Sequence, residues 1–185
     1  MMKRFFIYFT AFLPLGYLLI RLFVINDVND PIKYIYTITG VSATVILFIS
    51  ISISLIKEKI NLMKYRKEIG LLGFFYAFLH LLNFVAFDAS FDLEFILKQI
   101  IEKPFIYLGM IAFFILLFMM ITSSKKLFRK YKKYHRLVYI SLILITIHWI
   151  MAQKSLSIEQ FIYIGIILAI GYYKLLQLIV RSNNP

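Results

Sequence analysis

Three side chains stand out as possible ligands: His80, His135 and His148 are the only histidines in the chain. There is no Cys, which excludes disulfides, thiolate metal sites, Cys-ligated iron–sulfur clusters and c-type haem attachment. His80 lies within FFYAFLHLLNF (74–84) and His148 within LILITIHWI (142–150). An imidazole in such surroundings is costly unless it gains a partner, either a hydrogen bond or a metal ion. His135 differs, because KYHRLVY (133–139) places it beside Arg136 at the edge of a basic run.

The segments that hold these residues are long and apolar. The chain is 62% hydrophobic over 185 residues, well above the ~45–50% of ordinary globular domains. The excess is gathered into runs near the ~20 residues a helix needs to cross hydrocarbon. Six spans are expected: 5–25, 34–56, 69–87, 105–122, 134–151 and 160–180. This predicts an all-α polytopic membrane protein, a six-helix bundle forming one domain over 1–185. The N-terminal run superficially resembles a signal peptide. Its length and the lack of a small-x-small cleavage site read instead as a retained first helix.

The net charge is +12, but nucleic acid is not the implied partner. The charge sits in two connections: KEKINLMKYRKE (57–68) holds five Lys/Arg and SSKKLFRKYKKYHR (123–136) holds seven. The other connections (NDVNDP, DASFDLEFILKQIIEKP and AQKSLSIEQ) hold most of the acids. The positive-inside rule then places both basic loops and both termini in the cytoplasm. Residues 88–103 are expected to form a short amphipathic segment on the outer surface, with Phe91, Phe95 and Ile96 on one face. Lys174, near the end of the last span, would snorkel, and so would Arg21 near the outer end of span one, with reaching inward to a haem propionate as its competing use.

Depth sorts the histidines. Spans three and five run in the same direction. His80 lies about ten residues into one, roughly 15 Å, and His148 about fourteen residues into the other, roughly 21 Å. Within the error of helix boundaries the two share one level. A matched pair on different helices is what a bis-histidine haem requires, and Phe74, Phe78 and Phe84 would line an apolar groove for its macrocycle. The bland alternative is that each His hydrogen-bonds a neighbouring helix. The pairing favours ligation. At the level of His135, span three offers Arg66 and Lys67, which suit propionates or phosphate rather than iron. On local grounds His135 reads as an interfacial residue, with a second haem as the competing use. Trp149 could line a cofactor pocket or belong to an interfacial aromatic belt. The basic run 125–136 could dock a flavoprotein or anionic lipid, though setting topology is its commoner role.

Six stretches, in order, resemble a known family: DPIKYIYTITG (30–40), KYRKEIGLLGFFYAFLH (64–80), KPFIYLGMIAF (103–113), ITSSKK (121–126), YHRLVYISLILITIHW (134–149) and IYIGIILAIGYYKLL (162–176). Together they resemble the haem-binding membrane subunits of the bacterial periplasmic methionine-sulfoxide reductase system (MsrQ type), part of the ferric-reductase-like transmembrane group. The resemblance implies a six-helix protein with one or two haem b groups and, in some members, FMN. It implies electrons drawn from the quinol pool or a cytosolic flavin reductase and passed to a periplasmic molybdopterin-containing reductase that repairs oxidised methionine. By position, His80 and His148 match its haem-iron ligands, and His135 matches a third histidine of the family motif, which raises its standing as a cofactor residue. The subunit itself would carry no substrate chemistry. Two other readings compete. One is a stand-alone ferric or quinone reductase subunit; with no G-x-G-x-x-G here, it would need a separate nucleotide-binding partner. The other is a transporter or structural membrane protein without haem.

Overall fold

The computed structural model describes residues 2–54, 62–153 and, beyond them, 158, 161–162, 164–169 and 172–173. The secondary structure of the described residues is helical, without strands. α1 (Met2–Leu19) runs into a π-helical turn (Ile20–Ile25), and α2 spans Pro31–Ser52. α3 (Arg66–Asn83) is preceded by a 3₁₀ turn (Met63–Tyr65) and followed by a π-helical turn (Phe84–Asp88). α4 (Leu93–Glu102) and α5 (Pro104–Ile121) follow. α6 (Lys125–Tyr131) and a 3₁₀ turn (Lys132–Arg136) lead into α7 (Leu137–Ala152).

Local chemistry sets the helix starts. Pro31 occupies the first turn of α2, and the Asp30 carboxylate accepts the Lys33 N–H at 3.0 Å. This cap draws the helix start back to Pro31, ahead of the expected 34. Pro104 opens α5 in the same way. Asp92 caps α4 through the Phe95 N–H, and Ser124 caps α6 through the Leu127 N–H.

Five stretches are long and apolar enough to cross a membrane: Arg4–Ile25, Pro31–Ser52, Met63–Asp88, Pro104–Ile121 and Lys125–Ala152. They correspond to the first five expected spans. About half of the sixth, 160–180, lies outside the described residues, Lys174 included. Of its described part, Ile167 is buried against Ile51, Val138 and Leu142. The basic connection 123–136 is helical rather than a loop, because Ser124 starts a new helix there. The segment after α3 does form a helix, but its apolar face is not the expected one. Phe91 precedes the Asp92 cap in a left-handed conformation, and Ile96 is partly buried. The exposed apolar row is Leu93, Leu97 and Ile101, at helical i, i+4, i+8 spacing.

Two helix pairs build the core, α2 against α3 and α5 against α7. Ala43, Ile46, Leu72 and Tyr76 form one buried cluster, with Ile7, Ala11 and Leu15 of α1 packed on it. The fully buried Tyr76 hydroxyl donates to the Ala11 carbonyl at 2.7 Å. Small residues let backbones approach where no hydrophobic drive separates protein from lipid. Gly73 is such a point: a Cβ there would lie 2.7 Å from Leu47 Cγ and 3.2 Å from the Leu47 backbone nitrogen. Gly73→Ala is therefore expected to cost about 1–3 kcal/mol through overpacking. Thermal unfolding in detergent checks this, with Gly16→Ala as control, since a Cβ there meets nothing within 4 Å. Equal melting of both variants would contradict the close α2–α3 approach.

Candidate cofactor site

His80 projects from α3 and His148 from α7, one from each helix pair. Their imidazole centroids are 6.1 Å apart, with ring planes at 85°. The two lie toward the end of the bundle that carries Asp30, Asp88 and Asp92, away from the basic connections.

Each ring is held by the same device. The Nδ1 of His80 is 3.2 Å from the Tyr36 carbonyl, and the Nδ1 of His148 is 2.6 Å from the Phe105 carbonyl. A carbonyl only accepts, so each Nδ1 carries the proton and each Nε2 carries the lone pair. Four residues beyond each carbonyl comes a glycine that makes room for the ring. A Cβ on Gly40 would lie 3.0 Å from His80 Cε1, and one on Gly109 would lie 2.8 Å from His148 Nδ1. The aromatic ring of each anchor also meets its histidine, Tyr36 at 5.2 Å and Phe105 at 5.9 Å between centroids. The pattern aromatic-x-x-x-Gly occurs four times in the sequence, as FLPLG (12–16), YTITG (36–40), FIYLG (105–109) and FIYIG (161–165); a histidine ring lies against the glycine of the second, in α2, and of the third, in α5. A Cβ at Gly16 or Gly165 would meet nothing within 4 Å, so the pattern by itself does not mark the site and only the contacts single out Gly40 and Gly109.

The donor set suits a metal group that brings most of its own ligands. Among the described residues no three His, Cys, Asp or Glu side chains gather into a metal cluster. Two neutral imidazoles, each steered by a main-chain carbonyl, are what a porphyrin-bound iron takes from a protein. With metal–nitrogen bonds of about 2 Å, two imidazoles on opposite sides of one ion have centroids roughly 6 Å apart. The observed spacing and the glycine recesses fit that requirement.

The other expected residues fall elsewhere. Phe74 stacks on Phe113 at 5.6 Å between α3 and α5, but Phe78 is exposed to the surroundings of the bundle. His135 stands apart at the basic end. Its Nε2 is 3.0 Å from Thr122 Oγ1, and the Phe128 ring lies 4.8 Å away. The Thr122 hydroxyl donates to the Phe118 carbonyl at 2.7 Å, so His135 Nε2–H donates to it. Arg66 is close enough to act electrostatically on His135, while Lys67 is exposed. Arg21 pairs with Asp27 at 2.8 Å instead of reaching into the bundle. Trp149, next to His148, is partly buried.

The chain is similar to known proteins at both levels of detail. Residues 57–146 match the family described as ferric reductase like transmembrane component. That window holds His80 and His135 and ends just before His148. Over 162 residues the chain is 32% identical to proteins of Brucella ovis and Brucella canis, covering 84% of this chain and 74% of each relative. A Brucella melitensis protein is 31% identical over the same span. All three are described as protein-methionine-sulfoxide reductase heme-binding subunit MsrQ.

Proposed function

This chain belongs to the MsrQ family, and from that premise we propose that it is a membrane electron carrier holding haem b between His80 and His148. The observation that carries the proposal is the pair of matched imidazoles, 6.1 Å apart, each with Nδ1 on a carbonyl and a glycine recess beside the ring. In this reading the Nε2 atoms of His80 and His148 would hold the haem iron. The bound haem supplies a one-electron couple, ferric to ferrous. The chain's own residues do the rest. The Tyr36 and Phe105 carbonyls fix the tautomer and raise the basicity of each ligand. Gly40 and Gly109 keep the rings close to the helix backbones.

We further propose the orientation that the charges favour, with the basic loops and both termini in the cytoplasm of a bacterial inner membrane. The six-span, single-domain architecture belongs to the same proposal. Electrons then enter at the basic end, from quinol or from a cytosolic flavin reductase, with FMN as an intermediate carrier. They leave at the acidic end, toward a periplasmic molybdopterin-containing methionine-sulfoxide reductase subunit. Methionine repair is that partner's chemistry. Arg66 and His135 mark the entry end. Because His135 is tied to Thr122 and faces no second histidine among the described residues, the proposal needs one haem.

The test is a dithionite-reduced minus oxidised spectrum of the purified protein, expressed with haem supply, together with a pyridine haemochrome count. One low-spin b-type haem per chain supports the reading. A well-folded, colourless protein overturns it and leaves His80 and His148 as interhelical hydrogen bonders. His135→Ala is expected to leave the haem signal of the pair unchanged, and a halved haem count would show that His135 serves a second one.

A further inference from the structure

The two histidine anchors differ in one respect. Phe105 ends in a bare ring, whereas the Tyr36 hydroxyl donates to Asp88 Oδ2 at 2.6 Å. Asp88 is the last residue of the π-helical turn that extends α3 beyond His80. The backbone just past it is poorly suited to ending a helix unaided. Ser90 and Phe91 are consecutive non-glycine residues at φ 48° and 63°, a conformation that is costly unless surrounding contacts enforce it. Two backbone bonds close this turn, from the Ala89 N–H to the Phe84 carbonyl and from the Phe91 N–H to the Val85 carbonyl, both at 2.9 Å. Both are local to α3 and do not tie it to α2.

Side chains make those ties. Asn83 Nδ2 donates to the Ile32 carbonyl at 3.2 Å, His80 to the Tyr36 carbonyl, and Tyr36 to Asp88. The last is charge-assisted and short, so it is the strongest of the three. It is also the one whose residue touches His80 directly, through both ring and carbonyl.

We propose that Tyr36 and Asp88 form a positioning latch for His80, holding the end of α3 against α2 so that the imidazole keeps its place over Gly40 and opposite His148. The latch acts on one ligand of the pair, because among the described residues no such bond is made by the anchor of His148, Phe105, whose ring bears no hydroxyl. Its effect on iron rests on the haem reading above; its effect on the His80 ring does not.

Two readouts separate these levels. The first is labelling of His80 by diethyl pyrocarbonate in the full-length protein in detergent, read by peptide mass spectrometry with His148 as internal reference. In Tyr36→Phe and in Asp88→Asn the His80 rate is expected to rise roughly 5- to 10-fold, the loss of one hydrogen bond of this kind, with the His148 rate unchanged. The second is carbon monoxide binding to the reduced haem, where it would compete with the imidazoles proposed to hold the iron. It is expected to accelerate by a similar factor in both variants. The double variant is expected to go no further than either single one, because both remove the same bond. Asp88→Glu should restore part of the protection. If the protein carries no haem, the function proposed above fails and the labelling rates alone decide the latch. Unchanged His80 labelling in both variants overturns it. So does an equal rise at His80 and His148, which would mean general loosening of the bundle.

Discussion

Replacing either His80 or His148 by alanine is expected to remove the same low-spin haem absorbance, all of it, from the purified protein. Each imidazole offers one lone-pair nitrogen, and the 6.1 Å between ring centroids leaves room for one metal centre shared by both. With one of the two imidazoles that would hold it gone, the haem would lose its low-spin signature even if some pigment stays bound. The backbone should survive the change. Each histidine is bonded to a carbonyl that lies within a helix, at Tyr36 or Phe105, His80 having Thr39 Oγ1 at 3.4 Å as well, and an interhelical bond of this kind contributes only ~0.6 kcal/mol on average in a membrane. Size-exclusion elution and far-ultraviolet circular dichroism should therefore match the parent protein. An unaltered spectrum in either variant would falsify the pairing.

The second large effect is expected at Gly109. An added Cβ would lie 2.8 Å from His148 Nδ1 and 2.9 Å from its Cε1, far inside contact distance. The ring is not the free end of a flexible chain, because its Nδ1 is tied at 2.6 Å to the carbonyl one helical turn earlier. Gly109→Ala must tilt the ring or stretch that bond. Overpacking of this kind costs about 1–3 kcal/mol, so haem affinity should fall roughly 10- to 100-fold, the range seen when groups supporting a metal ligand are disturbed. Gly40→Ala meets His80 at 3.0 Å and 3.1 Å and should have the same sign with a smaller size. Haem titration of protein expressed without haem supply measures both. Gly70→Ala, whose nearest contact is Ser50 Oγ at 3.3 Å, lies on the same bundle away from the rings and should bind as the parent does. Parent-like affinity in Gly109→Ala would mean that the recess is not what seats His148.

Much of the architecture could be read from the sequence because membrane crossing is a local property. An apolar run either is or is not long enough for hydrocarbon, and loop charge needs no tertiary knowledge. The first five expected spans coincide with helical stretches long and apolar enough to cross a membrane, and the level shared by His80 and His148 followed from counting residues at 1.5 Å each. Where the reading was off, the cause was equally local. Asp30 and Pro31 start α2 early, Ser124 turns an expected loop into α6, and the left-handed Phe91 leaves the face it was assigned to.

The sequence by itself thus determined that this chain is helical and membrane-crossing, which end is basic, and which two histidines share a depth. Tertiary structure alone decided which faces meet. A helix that is apolar all round shows no periodicity to mark its packed side, so Phe74 and Phe78 look equivalent until α5 is in place. Main-chain acceptors leave no mark in the sequence either. The Tyr36 and Phe105 carbonyls are invisible as residue types, and Gly40 and Gly109 acquire meaning only when an imidazole lies against them. Tyr36 and Asp88, 52 residues apart in sequence, become partners for the same reason: α3 folds back along α2 and brings the end of one helix beside the start of the other.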